Sequence, residues 1–295
     1  MKTLFAILLI SVTSLLCFAQ SDRPKEPNWQ TFAPEKEEFM TEAPVQLKQQ
    51  MVGSVPSASR NYKGRLNGTY FFIFSDRIAA PGATKIALNF ARISQPVGTR
   101  EQFGDMPSEK FEFSDEDGFY HRLFTFKTNA RIYVFQTVSP QKDDPLAERF
   151  FAKLQIGKIQ SLDGMQTSSE SEDNETLSPD NGRGFAGDKR SEVLPDATQK
   201  APNVRAQTSP LQLESKPIPL YTDLARFYDI TGIVRLRITF SSDGTIGSVV
   251  PLIKLPFGLT KKAVEAAKKI RFQPPIRDGQ PYTVTKLVEY SFNIY

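Results

Sequence analysis

Apolar and polar positions alternate along the strand-like stretch from Val234 to Phe240. Val234, Leu236, Ile238 and Phe240 share one face, while Arg235, Arg237 and Thr239 share the other. Ser242-Asp243-Gly244 supplies residues that tolerate positive φ, and a second apolar run follows from Ile246 to Ile253, so the pattern predicts a hairpin. The period then changes. Ala263, Ala266, Ala267 and Ile270 recur at helical spacing opposite Lys261, Glu265, Lys268 and Lys269, with Thr260 placed to cap and Pro274-Pro275 to end the helix. Asp278-Gly279 makes a turn, and a final strand puts Val284, Val288, Tyr290, Phe292 and Ile294 on one face. A short helical pattern, Tyr221 to Tyr228, precedes the hairpin. The order α-β-β-α-β predicts a three-stranded antiparallel sheet with two helices on one side, over residues 212–295.

Residues 28–158 read as a second α+β domain, whose role the pattern leaves open. Strand-like groups occur at Tyr70–Phe74, Phe111–Phe113, Phe119–Phe126 and Arg131–Val138, and helical patterns at Ala83–Ile93 and Pro145–Ile156. Several of these strands are apolar on both faces, which predicts a sheet covered on both sides. The phenylalanines are read as core rather than as the lining of a ligand pocket. Glu112, Asp115, Glu116 and Asp117 cluster near a turn at Gly118; they are read as a solvated hairpin tip in preference to a calcium loop.

The C-terminal pattern also carries a resemblance. Pro219-x-Tyr221, Leu224-Ala225-Arg226, Ile230-x-Gly232, Asp243-Gly244, Gly258-Leu259-Thr260, Ile270-Arg271-Phe272-x-Pro274 and Gly279-x-Pro281 together resemble the C-terminal domain of the TonB family. One departure is plain: the family's usual Tyr-Pro before the first helix is Tyr221-Thr222. The resemblance implies a periplasmic arm that carries inner-membrane energy to outer-membrane transporters. Its expected partners are an outer-membrane TonB-dependent receptor or another envelope protein, together with inner-membrane motor proteins.

Composition adds limits. The net charge of +4 is small for 295 residues and gives no nucleic-acid reading. Residues 159–211 are polar and rich in Ser, Asp, Glu, Gly and Pro, so they are expected to form a disordered linker. Residues 1–19 combine Lys2, an apolar run from Leu4 to Phe18 and the ending Cys17-Phe18-Ala19, which reads as a signal peptide. The run is shorter than the roughly 20 residues a spanning helix needs, so export to the periplasm is expected, with an inner-membrane anchor as the alternative. Cys17 is the only cysteine and His121 the only histidine, which leaves no His cluster and, after cleavage, no thiol chemistry. No nucleophile elbow, zinc motif or phosphate loop occurs, so the expectation is a binding protein without catalysis, cofactor or metal.

Connectivity locates the candidate site. A tight hairpin pairs the first two strands, and the last strand fills the open side of the first, so the sheet order is second, first, third. Pro251 lacks a ladder donor and blunts one edge. Nothing comparable protects the other, so Val284, Thr285, Lys286, Leu287, Val288, Glu289 and Tyr290 are expected to accept a partner peptide as an added strand. Tyr221, Lys261 and Lys262 join them as candidate partner-binding residues, the lysines facing an acidic partner surface or an anionic envelope polymer. The competing occupants of the edge are the linker or a second copy of the domain, as a homodimer. The second functional reading is an exported, soluble scaffold that uses its TonB-like domain for assembly without energy transduction.

Overall fold

The computed structural model describes residues 26–50, 59–103, 106–157 and 208–294, with side chains omitted at Gln50 and Phe103. The expected signal segment and nearly all of the expected linker lie outside the described residues.

The first unit begins with short strands β1 (Gln30–Phe32), β2 (Phe39–Ala43) and β3 (Lys48–Gln50), followed by β4 (Arg60–Leu66) and β5 (Thr69–Arg77). Helix α1 (Ala83–Ser94) leads to β6 (Thr99–Phe103), β7 (Met106–Ser114), β8 (Tyr120–Lys127) and β9 (Arg131–Ser139). Helix α2 (Pro145–Ala152) and β10 (Gln155–Ile156) close it. The main sheet has seven antiparallel strands in the order β3-β4-β5-β9-β8-β7-β6, and β1-β2-β10 form a smaller sheet. The expectation of two small α+β domains holds for the mix of helices and strands, but the first unit is built on one wide, seven-stranded sheet and the molecule has several sheets, not only a three-stranded C-terminal one. Its central strands β5 and β9 are almost wholly buried, because both faces are covered. On one side Phe71, Ile73, Tyr133 and Phe135 pack with Phe39, Phe150 and Leu154, under the small sheet and α2. The helical pattern expected to run to Ile156 stops at Ala152, and Gln155–Ile156 instead pairs with β2.

The second unit runs β11 (Gln212–Ser215), α3 (Asp223–Phe227), β12 (Gly232–Phe240), β13 (Ile246–Ile253) and α4 (Leu259–Ala267). It ends with β14 (Arg271–Gln273), β15 (Ile276–Arg277), β16 (Gln280–Pro281) and β17 (Val284–Phe292). β13-β12-β17 form the expected three-stranded antiparallel sheet; β11 pairs with β14, and β15 with β16, as additional two-stranded ladders. Alternation in β12 works as read: Val234, Leu236, Ile238 and Phe240 are fully buried against α4 residues Leu259, Ala263 and Ala267. α3 starts where Thr222 accepts from the Ala225 amide at 3.2 Å, a cap that the family's proline could not provide.

The other face of the wide sheet is covered by α1 and by the second unit itself. Tyr70, Phe72, Phe74 and Phe111 belong to the same buried cluster as Tyr228, Ile230, Leu255 and Phe257. Phe257 stacks on Tyr228 with ring centroids 4.1 Å apart, and Tyr228 meets Phe72 edge-on at 4.9 Å. The buried Tyr228 hydroxyl donates to Gln136 on β9 at 2.7 Å. The two units thus share one core.

Candidate partner-binding edge and the interface that leaves it free

β17 pairs with β12 along its whole length, from Phe240↔Val284 to Gly232↔Phe292. No described strand pairs with its outer side. On the sheet, Val288, Tyr290 and Phe292 point into the core, while Thr285, Leu287, Glu289 and Ser291 are exposed. Leu287 is 59% exposed, unusual for a leucine in a ladder. Arg235 and Glu289 lie directly opposite and pair at 2.7 Å. The Glu289 carbonyl accepts from the Lys216 ammonium at 2.6 Å, a contact from outside the β12–β17 ladder. Main-chain groups in an antiparallel strand alternate sides every residue. With the Lys216 contact marking the outer side, this alternation assigns the N–H and C=O groups of Thr285, Leu287 and Ser291 outward with Glu289, and those of Lys286, Val288 and Tyr290 toward β12.

At the opposite edge Pro251 sits in β13, across from Leu236 beside a register shift, where its missing N–H interrupts any further ladder. One edge is blunted and the other open.

The remaining candidate residues lie elsewhere. Tyr221 is half-buried: its hydroxyl donates to the Ile230 carbonyl, its ring meets Phe292 edge-on at 5.8 Å, and Arg226 lies over it at 5.0 Å. It clamps α3 to the end of β17 and does not line the outer edge. Lys262 pairs with Glu265 at 2.9 Å, within its own helix. Lys261 does face an acidic surface, but one supplied by this chain: its ammonium is 2.6 Å from Glu116.

That contact belongs to the feature the sequence reading missed. Phe257 and Gly258 are both left-handed, with φ of 61° and 84°, and α4 has no side-chain cap of its own. Thr260, expected to cap, instead lies inside the helix and bonds back to Leu255 at 2.8 Å. The cap comes from the β7–β8 turn of the first unit. Asp117 accepts from the Gly258 amide at 2.6 Å and the Lys261 amide at 2.9 Å, and Asp115 from the Phe257 amide at 3.2 Å. The cluster read as a solvated tip is thus buried at Asp117, which is 5% exposed. It satisfies three main-chain donors at the start of α4 and meets the positive end of the helix dipole.

Its electrostatics follow from crowding. Burial, reinforced by Asp115 and Glu116, pushes the Asp117 carboxyl up to about 6. Burial would raise Asp115 as well, but His121 at 3.1 Å and the amides of Phe119 and Phe257 outweigh it and hold this carboxyl below its ordinary range. His121 is fully buried, stacked on Phe113 at 4.8 Å, and burial lowers its pKa. The charged groups of this turn are consumed in joining the units. No group of three or more His, Cys, Asp or Glu suited to a metal occurs among the described residues, and no helix there is long and apolar enough to cross a membrane.

Two helices packed on a β13-β12-β17 sheet, with the outer side of β17 unpaired among the described residues, define a small α+β domain. Residues 217–294 match the family described as the Gram-negative bacterial TonB protein C-terminal. That segment is a TonB C-terminal domain. Among solved structures, the chain is similar to the solution NMR structure of the Pseudomonas aeruginosa TonB C-terminal domain. The identity there is 24%, covering 31% of this chain and 90% of that one, with a TM-score of 0.26. A 1.50 Å crystal structure from Bacteroides thetaiotaomicron VPI-5482 is 16% identical, with a TM-score of 0.28, over 41% of this chain and 46% of that one. The chain therefore spans less than half of the Bacteroides protein. No curated protein matches the chain.

Proposed function

We propose that this protein works in the cell envelope as a TonB-type adaptor, whose β17 edge takes up a short extended peptide from an outer-membrane receptor as a fourth strand. The observation that carries the reading is the asymmetry of the sheet: β17 offers outward main-chain groups, while Pro251 closes the β13 edge. Main-chain hydrogen bonds would supply affinity, and the exposed side chains of Thr285, Leu287 and Glu289 would tune selection. The role is binding rather than catalysis, in support of energy-coupled transport.

A fluorescent peptide copied from a receptor's N-terminal box, titrated into the full chain, tests this reading. Saturable binding tighter than about 1 mM supports it. No binding, or equal binding of a scrambled peptide, removes it.

The docking of the TonB-like unit on residues 26–157 favours a second reading, an exported scaffold that assembles through this domain without transducing force. Sequencing the N-terminus of protein from cell fractions separates the two. A soluble periplasmic chain starting near Gln20 favours the scaffold, and a full-length chain from washed inner membranes favours the transducer.

A further inference from the structure

A second site lies where the two units meet. β3, β4 and β5 of the first unit and residues 228–231 of the second enclose a cleft of about 510 Å³, a volume within the range of small-molecule sites. Its apolar side is aromatic: Tyr70, Phe72 and Tyr228, all buried. Its polar side is cationic. Lys48 and Lys63 are paired neighbours on β3 and β4, and Arg65 follows on the same face of β4. Asp229 is the one acidic residue lining the cleft among the described residues, and it is already paired with Lys63. That leaves Lys48 and Arg65, both exposed, with no carboxylate opposite them in the cleft.

Local structure holds these groups in place. Arg65 lies 4.8 Å over the Tyr70 ring and reaches the second unit, where a Cβ on Gly232 would sit 3.5 Å from its Nη1. Gly64 lets the Val45–Leu47 segment close onto β4; a Cβ there would meet both side chains at 2.7 Å. The Tyr70 hydroxyl is buried without a hydrogen-bond partner. Burial also lowers the Lys63 pKa, as expected of an ammonium with little water around it.

We propose that this cleft binds a small dianion carrying a planar or apolar body, of the aryl phosphate class. The two uncompensated cations, Lys48 and Arg65, would hold the charged head, and the apolar lining at Val45, Tyr70 and Phe72 would receive the body. Guanidinium groups favour phosphate because their donors fork onto two oxygens. A phosphate monoester above its second pKa of about 6 carries the matching double charge. Because both units line the cleft, the bound ligand would also tighten their docking.

Phenyl phosphate is the probe, titrated by calorimetry into the full chain at pH 7.5 and low salt. The expected result is one site per chain, and weaker binding, by about tenfold or more, in Arg65→Gln and in Lys48→Gln. Both substitutions are at exposed positions, and Lys63 is left intact because it also holds Asp229. Inorganic phosphate, which lacks the body, should bind more weakly by a similar factor. The proposal is overturned if phenyl phosphate gives no binding up to about 10 mM. It also fails if neither variant weakens binding, or if inorganic phosphate binds as tightly as phenyl phosphate.

Discussion

Asp117 meets two opposed demands. Its oxygens cap the Gly258 and Lys261 amides, which favours the charged form, yet burial among carboxylates lifts its pKa from 3.8 to about 6. The folded state therefore holds this proton more tightly than the unfolded chain does. As pH climbs from about 4 to about 6 the unfolded chain releases it first, so the stability Asp117 contributes falls across that window and is level above it. His121 and Asp115 titrate in the same protein, so the comparison that isolates Asp117 is with Asp117→Asn. Wild type should lose stability relative to this variant between pH 4.5 and pH 7.5, read from urea midpoints at the two values. A relative gain would show that the two amide bonds outweigh burial. Tyr221 makes a different point at this scale. Tyr221→Phe removes the bond to the Ile230 carbonyl and should cost about 0.5–1.5 kcal/mol in urea unfolding. Peptide affinity should stay unchanged, because the ring does not line the outer edge of β17.

Among the elements, β17 and β13 flank the same strand and differ in what their outer sides allow. Proline at position 287 deletes an outward amide, which an edge strand tolerates, so Leu287→Pro should keep its circular dichroism spectrum and lose peptide binding by about tenfold or more. Val288→Pro deletes a ladder bond at a buried position and should cost about 3 kcal/mol or more of stability. Equal behaviour of the two variants would contradict the alternation deduced from Glu289. These strands were legible in the sequence for a physical reason. β12 buries one face only, so its alternation records the burial directly, and the hairpin and final strand then leave one sensible order. The α4 cap was not legible. A solvated turn and a buried helix cap share the composition Asp-Glu-Asp-Gly, and the amide that Asp117 serves is 141 residues away along the chain. The width of the first sheet was hidden similarly, because β3, β6 and the β1-β2-β10 ladder are short and polar or mixed, leaving little periodicity to read.

For the whole molecule, the shared core has a consequence that two separate cores would not. Phe257 is buried against Tyr228, Phe72, Phe90 and His121, so it belongs to the TonB-like unit by sequence and to both units by packing. Phe257→Ala should cost about 3–5 kcal/mol and lower the stability of both units in parallel, seen as a common shift of tryptophan fluorescence from Trp29 and of far-ultraviolet dichroism. The docking uses α3, the loop before α4 and the α4 N-terminus, and it leaves the outer side of β17 open. Strand addition should therefore occur in the full chain without undocking. Amide hydrogen exchange in the nitrogen-15-labelled full chain, with and without saturating receptor-box peptide, tests this most directly. The account predicts that the outward amides of Thr285, Leu287 and Ser291 slow by about tenfold or more, while Lys286, Val288 and Tyr290, already bonded to β12, change little. Unchanged exchange at Thr285 and Leu287 in the peptide-bound protein, or new protection along β13 instead, would contradict it.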